Sequence, residues 1–419
     1  MLDISFVKQN KDKIEENCQK RGVKVDIGRL IKIDKEKNSL LQEVEQLRAE
    51  KNKATKEIPK IEDEEKKKGI IKEMQKIDKK EELLEAKLKK KQEEYNKIAF
   101  KIPNLCDQSV PVGQGDCDNV VLREEGKKPD FKFKPQDYLK LAEDKDLIDI
   151  KRAAKVSGSR FGYLKGKLAQ MEFALVRMAF DEISKKGFQP LLPPVLIRPE
   201  MMWGMGYIDT EEDLAERYYL EKDGLFLVGT AEQSIGPMHK GETFDEKDLP
   251  KRYLGFSTCF REEAGSYGKD TKGILRVHQF DKAEMFSFCH PEKSKEEHQK
   301  MLELAEGLMK KLKIPYRVMQ LCTGDLARPA SVTYDIESWM PGQNKYRETH
   351  SCSLCTDFQS RRLNIKYKGK GKADFVHTLN GTAFAMGRTL IAIMENYQQK
   401  DGSVKVPRAL QKYLGFKSL

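Results

Sequence analysis

A chain of 419 residues is too long for one small core and implies two or three domains; 38% hydrophobic against 35% charged residues points to a long, highly charged segment attached to an ordinary core. The net charge of +11, from 78 basic and 67 acidic residues, is a modest bias towards a polyanionic partner and excludes a purely basic tail. Eight cysteines without framework spacing exclude a disulfide scaffold, and neither a signal-like start nor a run of eighteen apolar residues is present, so a cytoplasmic protein with no membrane role is expected.

Residues 1–28 read as a short helical lead-in. Then Leu30, Ile33, Lys37, Leu40, Val44, Leu47, Lys51, Ala54 and Ile58 alternate three and four apart, a heptad seam with two lysine interruptions. Pro59 stops that helix because it has no backbone N–H to donate. After a polar segment from Glu62 to Gly69 the seam resumes at Ile70 and continues through Met74, Ile77, Glu81, Leu84, Leu88, Lys91, Tyr95 and Ile98. The halves mirror one another, so an antiparallel two-helix coiled coil over about 29–100 is expected, with Val44 facing Leu84 and Leu30 facing Ile98. The hairpin carries 21 Lys/Arg against 17 Asp/Glu. On that pattern alone it is equally a spacer, a dimerisation coil or a grip for a polyanion.

A Pro/Gly-rich connector (Pro103-Asn104, Pro111-Val112-Gly113) sets the expected boundary, giving domains 1–112 and 113–419. A helix follows from about Lys167 to Lys185, with the apolar stripe Leu168, Met171, Leu175, Met178 and Ala179. Gln189 to Ile197 reads as an edge strand broken by Pro193-Pro194. Residues 226–232 read as a short strand ending in Thr230 and Glu232. Next comes Thr258-Cys-Phe-Arg261-Glu-Glu263-Ala-Gly265, then Gly273-Ile-Leu-Arg276-Val-His278-Gln-Phe280-Asp-Lys282-Ala-Glu284. These predict two antiparallel strands joined by a loop of about a dozen residues, with 276, 278, 280, 282 and 284 on one face. A helix near 292–312, a strand at Tyr316, and strands over 333–358 come after. Thr378-Leu-Asn380-Gly-Thr382 is expected to open a helix running through Arg388 to Tyr397, its amino end an anion site.

An exposed Arg/Glu hairpin is ordinarily a solvated surface. Here the apolar lead-ins deliver Thr230, Glu232, Arg261, Glu263, Phe280, Glu284, Glu348, Asn380 and Arg388 to one predicted pocket on a mostly antiparallel sheet. Arginines hold phosphate, phenylalanine offers a stacking face, and carboxylates accept from an amine or bind a hard cation. That set suits ATP with Mg²⁺ beside an amino acid. Cys352-Ser-Leu-Cys355 has CxxC spacing without two further ligands in a standard pattern, so reduced thiols and no zinc are expected. His278 reads as a loop-holding residue before a catalytic base.

These motifs resemble those of class II aminoacyl-tRNA synthetases, and over essentially the whole length those of bacterial-type seryl-tRNA synthetases. Gly187-Phe188 through Pro194 is similar to motif 1, Phe260-Arg261-Glu-Glu263 with Gly273 to Phe280 to motif 2, and Asn380-Gly-Thr382 through Arg388 to motif 3. Thr230-Ala-Glu232, His278 to Glu284, Tyr346-Arg-Glu348 and the coiled coil carry the serine branch. The resemblance implies an α+β catalytic domain, an antiparallel sheet flanked by helices, with an N-terminal two-helix coiled-coil arm. It implies ATP-dependent activation of serine and its transfer to tRNA(Ser), with tRNA(Sec) a second candidate, by a homodimer. By the same resemblance Arg261, Arg388 and Glu348 are catalytic. Thr230, Glu232, Arg261, Glu284, Asn380 and Thr382 line the serine pocket. Arg261, Glu263, Arg276, Phe280, Glu348, Ser351 and Arg388 bind ATP, and Glu348 with Ser351 binds Mg²⁺. Lys66, Lys67 and Lys68, at the turn of the arm, are the candidate tRNA contacts, although the run by itself reads equally as solvated charge. The chain departs from the family's usual residues at Gln233, Lys272, Val332 and His350.

Overall fold

The computed structural model describes residues 2–264, 270 and 272–419. Gly265 and Ser266 of the motif 2-like stretch, and Thr271, lie outside them. The contacts divide the chain into two compact units, Met1–Pro103 and Asn104–Leu419, parting inside the Pro/Gly-rich connector.

In the first unit, short helices Ile4–Gln9 and Lys11–Lys20 precede α1 (Ile27–Glu57) and α2 (Glu64–Ala99). The Asp26 carboxylate accepts from Arg29 N and caps α1. Its end falls two residues before Pro59. At about 1.5 Å per residue, α1 is ~47 Å long. Over the middle of the hairpin the seam pairs as its mirror symmetry predicts: Val44, Leu47 and Leu84 form one buried cluster, with Leu40 and Ile77 against it. The polar seam positions find partners on the facing helix. Lys51 Nζ lies 2.5 Å from Asp78 and 3.3 Å from Glu81, Lys91 reaches Glu36 at 2.9 Å, and Lys37 sits 4.2 Å above the Tyr95 ring. Such pairs add little stability when exposed, but they disfavour other registers of the two helices. One expectation is corrected. α2 starts at Glu64 rather than at Ile70, because the Asp63 side chain caps it by accepting from Glu65 N and Lys66 N. Most of the expected polar turn is therefore helix, and Lys66, Lys67 and Lys68 lie in its first turns.

The second unit is built on one sheet. Its strands are β1 (Val120–Glu125), β2 (Gln189–Leu191), β3 (Lys251–Phe260), β4 (Gln279–Cys289), β5 (Tyr316–Gln320), β6 (Val332–Met340), β7 (Lys345–Thr356) and β8 (His377–Ala385). Among the described residues their order is β1-β5-β6-β7-β8-β4-β3-β2, antiparallel except for the edge pair β2–β3. Helices α3 (Gly166–Ser184), α4 (Ser294–Leu312) and α5 (Met386–Tyr397) cover the sheet. Along β4, Ala283 and Met285 join the core shared with these helices, whereas Phe286 and Phe288 pack into a second cluster with Met205, Ala231 and Ile235. The period of two thus places Lys282, Glu284, Phe286 and Phe288 together on the face away from the large core.

Four local expectations are corrected. Gln189 to Ile197 is not one broken strand: β2 joins the main sheet, and Leu196–Ile197 pairs with Leu225–Leu227 in a separate three-stranded sheet. The strand before Thr230 ends at Leu227, and Glu232 opens a one-turn helix to Ile235. The β3–β4 connection runs from Arg261 to His278, longer than a dozen residues, so Arg276 and His278 precede the strand they were expected to share with Glu284. Asn380 and Thr382 belong to β8, and α5 begins only at Met386, which puts Arg388 in its first turn rather than its third. The Asn-Gly-Thr run looks like a helix start, but a central strand fits because Gly381 lets neighbouring groups close in. A Cβ there would stand 3.2 Å from Cys352 Sγ and 3.3 Å from Met301 Cε. No helix among the described residues is long and apolar enough to cross a membrane.

Candidate active site

The open face of β4, β7 and β8 floors a cavity of about 560 Å³, and a smaller one of about 100 Å³ adjoins it. Arg261, Glu263, Arg276, Glu348, Ser351, Thr382 and Arg388 line both. Thr230, Glu232, Glu284 and Asn380 line the larger, and Phe280 the smaller. The residues singled out in this unit are thus brought together, whereas Lys66, Lys67 and Lys68 belong to the other unit.

The sheet register sets the spacing. Glu284 lies opposite Thr382, Asn380 opposite Ser353, and Asp335 opposite Ser351. At one end the groups are acidic and hydroxylic. Glu284 Oε2 accepts from Thr382 Oγ1 at 3.3 Å and pairs with Lys282 Nζ at 2.6 Å. Tyr207 donates to Glu232. Burial, with the Glu284 charge adding to it, pushes the Glu232 carboxyl up to about 7. The Thr230 hydroxyl is buried there with no hydrogen-bond partner among the described residues, which leaves it available to a ligand.

At the other end the groups are guanidinium and aromatic. Arg388 Nη1 stands 3.0 Å from Glu348 Oε2, and Arg276 Nη1 2.5 Å from Glu263 Oε2. The Arg261 guanidinium carbon lies 5.2 Å from the Phe280 ring centre, and Arg261 Nε donates to Gly229 O at 3.1 Å. Glu263 holds φ +51°, a conformation costly for a non-glycine residue and found disproportionately at functional sites. His278 serves the loop: its Nδ1 donates to Arg261 O at 2.9 Å, and Arg261 N donates to His278 O. Burial favours the neutral form of Glu348, but the adjacent Arg388 charge outweighs it and lowers its pKa. Asp335 is driven the opposite way, well above the carboxylate range, by burial and by the Glu348 charge. Glu348 and Ser351 offer only oxygen donors, the chemistry that suits a hard divalent cation.

Sequence reasoning left out several lining residues, among them Tyr207, Arg217, Lys282 and Ser353. Lys282 could have been found, because its position in the period-two run already put it on the Glu284 face. Tyr207 and Arg217 arrive on irregular chain, where no periodicity marks them. The departures have structural partners. Gln233 Oε1 accepts from Gly229 N at 2.7 Å, and His350 Nε2 donates to Ala383 O at 3.0 Å. Lys272 O accepts from the Tyr138 hydroxyl, and Val332 is a buried cross-strand partner of Leu354. Of the CxxC pair, Cys352 packs in the large core while Cys355 lines the cavity and accepts from Asn380 Nδ2.

Residues 218–397 match the model for the class II tRNA synthetase core domain (G, H, P, S and T), and residues 1–106 that for the seryl-tRNA synthetase N-terminal domain. The chain is 43% identical to a serine–tRNA ligase of Dictyoglomus turgidum, over 100% of this chain and 99% of that one. Its structure is similar to that of seryl-tRNA synthetase from Pyrococcus horikoshii complexed with ATP, with a TM-score of 0.87 and 40% identity, covering 100% and 99% of the two chains. It is also similar to the cytoplasmic serine–tRNA ligase of Naegleria fowleri in complex with AMP, with a TM-score of 0.83 and 32% identity, covering 100% and 98%.

Proposed function

The chain belongs to the seryl-tRNA synthetase family, and from that premise we propose how its own residues carry the reaction. The reaction is activation of serine by ATP to seryl-adenylate, followed by transfer of the seryl group to tRNA(Ser) with release of AMP. The observation that carries the assignment of roles is the two-ended cavity, acidic and hydroxylic at one end and guanidinium-rich at the other, with Arg261 common to both parts.

Serine sits among Thr230, Glu232, Glu284, Asn380 and Thr382, with its ammonium on Glu232 and its hydroxyl towards Glu284 and Thr382. Its carboxylate, already ionised at neutral pH, attacks the α-phosphorus of ATP. The P–O bond to the leaving pyrophosphate breaks, so no general base is needed. Arg261 bridges the serine carboxylate and the α-phosphate and holds the charge that develops between them. Phe280 and Glu263 seat the adenine, Arg276 supports Glu263, and Arg388 binds the γ-phosphate. On ATP binding Arg388 exchanges its Glu348 contact for phosphate. Glu348 and Ser351 would hold Mg²⁺, which when bound neutralises charge on the ATP phosphates. A ribose hydroxyl at the tRNA end then attacks the seryl carbonyl, and AMP leaves.

The helical hairpin α1–α2 grips the tRNA, with Lys66, Lys67 and Lys68 on phosphates. tRNA(Sec) is a second substrate if it presents the same surface to the hairpin. A second copy of the chain covers α3 and the end of β2, where Phe173 and, one residue past the strand, Leu192 are 70% and 74% exposed. Sedimentation should show a dimer at micromolar concentration, and a fully active monomer would rule this interface out.

The direct test is ATP–pyrophosphate exchange with serine, alanine, threonine and glycine, together with charging of tRNA(Ser). Serine alone should drive rapid exchange, without any need for tRNA. Exchange that depends on a different amino acid, or no charging, would refute the reading.

A further inference from the structure

We propose that Lys282 is a specificity-determining positioning residue. Its ammonium holds one oxygen of Glu284 and so leaves the other as the acceptor for the seryl hydroxyl. The inference rests on the serine-activating reading above. Lys282 and Glu284 stand two apart on one face of β4 and are 7% and 1% exposed. Nζ lies 2.6 Å from Glu284 Oε2, and Thr382 Oγ1, across the β4–β8 ladder, donates to that same Oε2 at 3.3 Å. The ion pair at its closest and the Thr382 hydrogen bond thus meet at Oε2, and no hydrogen bond to Oε1 is made among the described residues.

That division of labour matters for discrimination. A carboxylate free to rotate presents either oxygen to water or to any donor. One anchored by a buried cation keeps its remaining lone pairs in a fixed direction. A substrate with a hydroxyl satisfies Oε1; alanine leaves it desolvated and unpaired, which is what rejects the smaller amino acid.

The ammonium also holds the local charge balance. The ionisable groups around Glu284 are Glu232, Tyr207, Arg261, Cys259 and Cys352, and Arg217 and Glu348 line the same cavity. Two buried carboxyls, Glu232 and Glu284, repel each other, and Lys282 opposes the rise of the Glu232 pKa. A lysine kept only for stability would share the burial and the ion pair, so the test must read more than folding.

The experiment is serine-dependent pyrophosphate exchange by the full chain and by Lys282→Met, Lys282→Gln and Lys282→Arg, followed from pH 5.5 to 8.5. In the unsubstituted chain kcat/KM for serine should fall below about pH 7, where Glu232 takes up a proton and loses the charge that holds the ammonium. Lys282→Met should raise serine KM by about thirtyfold or more with ATP KM within about threefold, and should narrow the serine-over-alanine ratio. It should also move the acid limb up by roughly one pH unit, because the buried carboxyls lose their counter-charge. Lys282→Arg should restore the limb and most of the affinity. A folded Lys282→Met enzyme with unchanged serine KM and limb overturns the proposal, as does a parallel rise in both KM values. Should a melt show Lys282→Met unfolded, Lys282→Gln is held to the same two outcomes. Loss of serine dependence in the unsubstituted chain would instead refute the activation reading itself, and this inference with it.

Discussion

Removal of residues 30–98, with the ends rejoined by a short flexible linker, is expected to abolish charging of tRNA(Ser) while serine-dependent pyrophosphate exchange stays within about threefold of the full chain. The lining of both cavities comes from residues 207–388, all within the second unit. That unit has its own core, in which α3, α4 and α5 cover the sheet. Activation as proposed uses ATP, Mg²⁺ and serine, and does not involve the RNA. Charging needs the RNA held long enough for its end to enter, and a surface rich in lysine is suited to phosphate. Each phosphate contact releases condensed counterions, so charging by the full chain should also weaken steeply as salt rises, with a slope set by the number of contacts. A gentler probe is Lys66→Glu with Lys67→Glu and Lys68→Glu, which should raise the KM for tRNA by about tenfold or more without touching exchange. Normal charging by the shortened chain would show that the hairpin is a spacer.

The parts of the molecule written in strong periodicity were legible. The mirrored heptads predicted both long helices and the Val44–Leu84 layer. The period-two run through Phe280 and Glu284 placed those side chains at one cavity system. What failed was local chain whose state is decided by its neighbours. Asn380-Gly-Thr382 has the composition of a turn and a helix cap, yet it is a central strand. Pairing on both sides satisfies its backbone, and Gly381 lets Met301 and Cys352 come close. Asp63 gave a readable cap signal, an acidic side chain followed by Glu64 and Glu65, but the heptad pattern drew attention to Ile70 instead. Arg217 had no signal at all. It lies in the turn between a five-residue helix, Glu211–Ala215, and the short strand that starts at Tyr219, and a helix that short has no period to read.

Glu284→Ala should cripple serine activation, raising serine KM by about a thousandfold while ATP KM moves by no more than about threefold. Three losses coincide at that position. The carboxylate that reads serine is gone. Thr382 loses its acceptor. The Lys282 ammonium is left buried without its counter-ion, a change that on its own typically costs about 3–5 kcal/mol. A melt must therefore accompany the kinetics, and Glu284→Gln, which keeps the volume and one acceptor oxygen, should recover folding before it recovers affinity. Thr382→Ala is the finer instrument. It removes one hydroxyl from the pocket and leaves the ion pair, so it should narrow the serine-over-alanine ratio of kcat/KM by about tenfold, one hydrogen bond's worth. Threonine adds only a methyl group, and methylene-sized differences yield about 1–3 kcal/mol of discrimination, so its ratio to serine should move less. The four amino acids serine, alanine, threonine and glycine separate these effects in one exchange assay. If Thr382→Ala leaves all the ratios unchanged while Glu284→Ala remains crippled, the carboxylate binds the ammonium, and the hydroxyl is read by another group in the cavity.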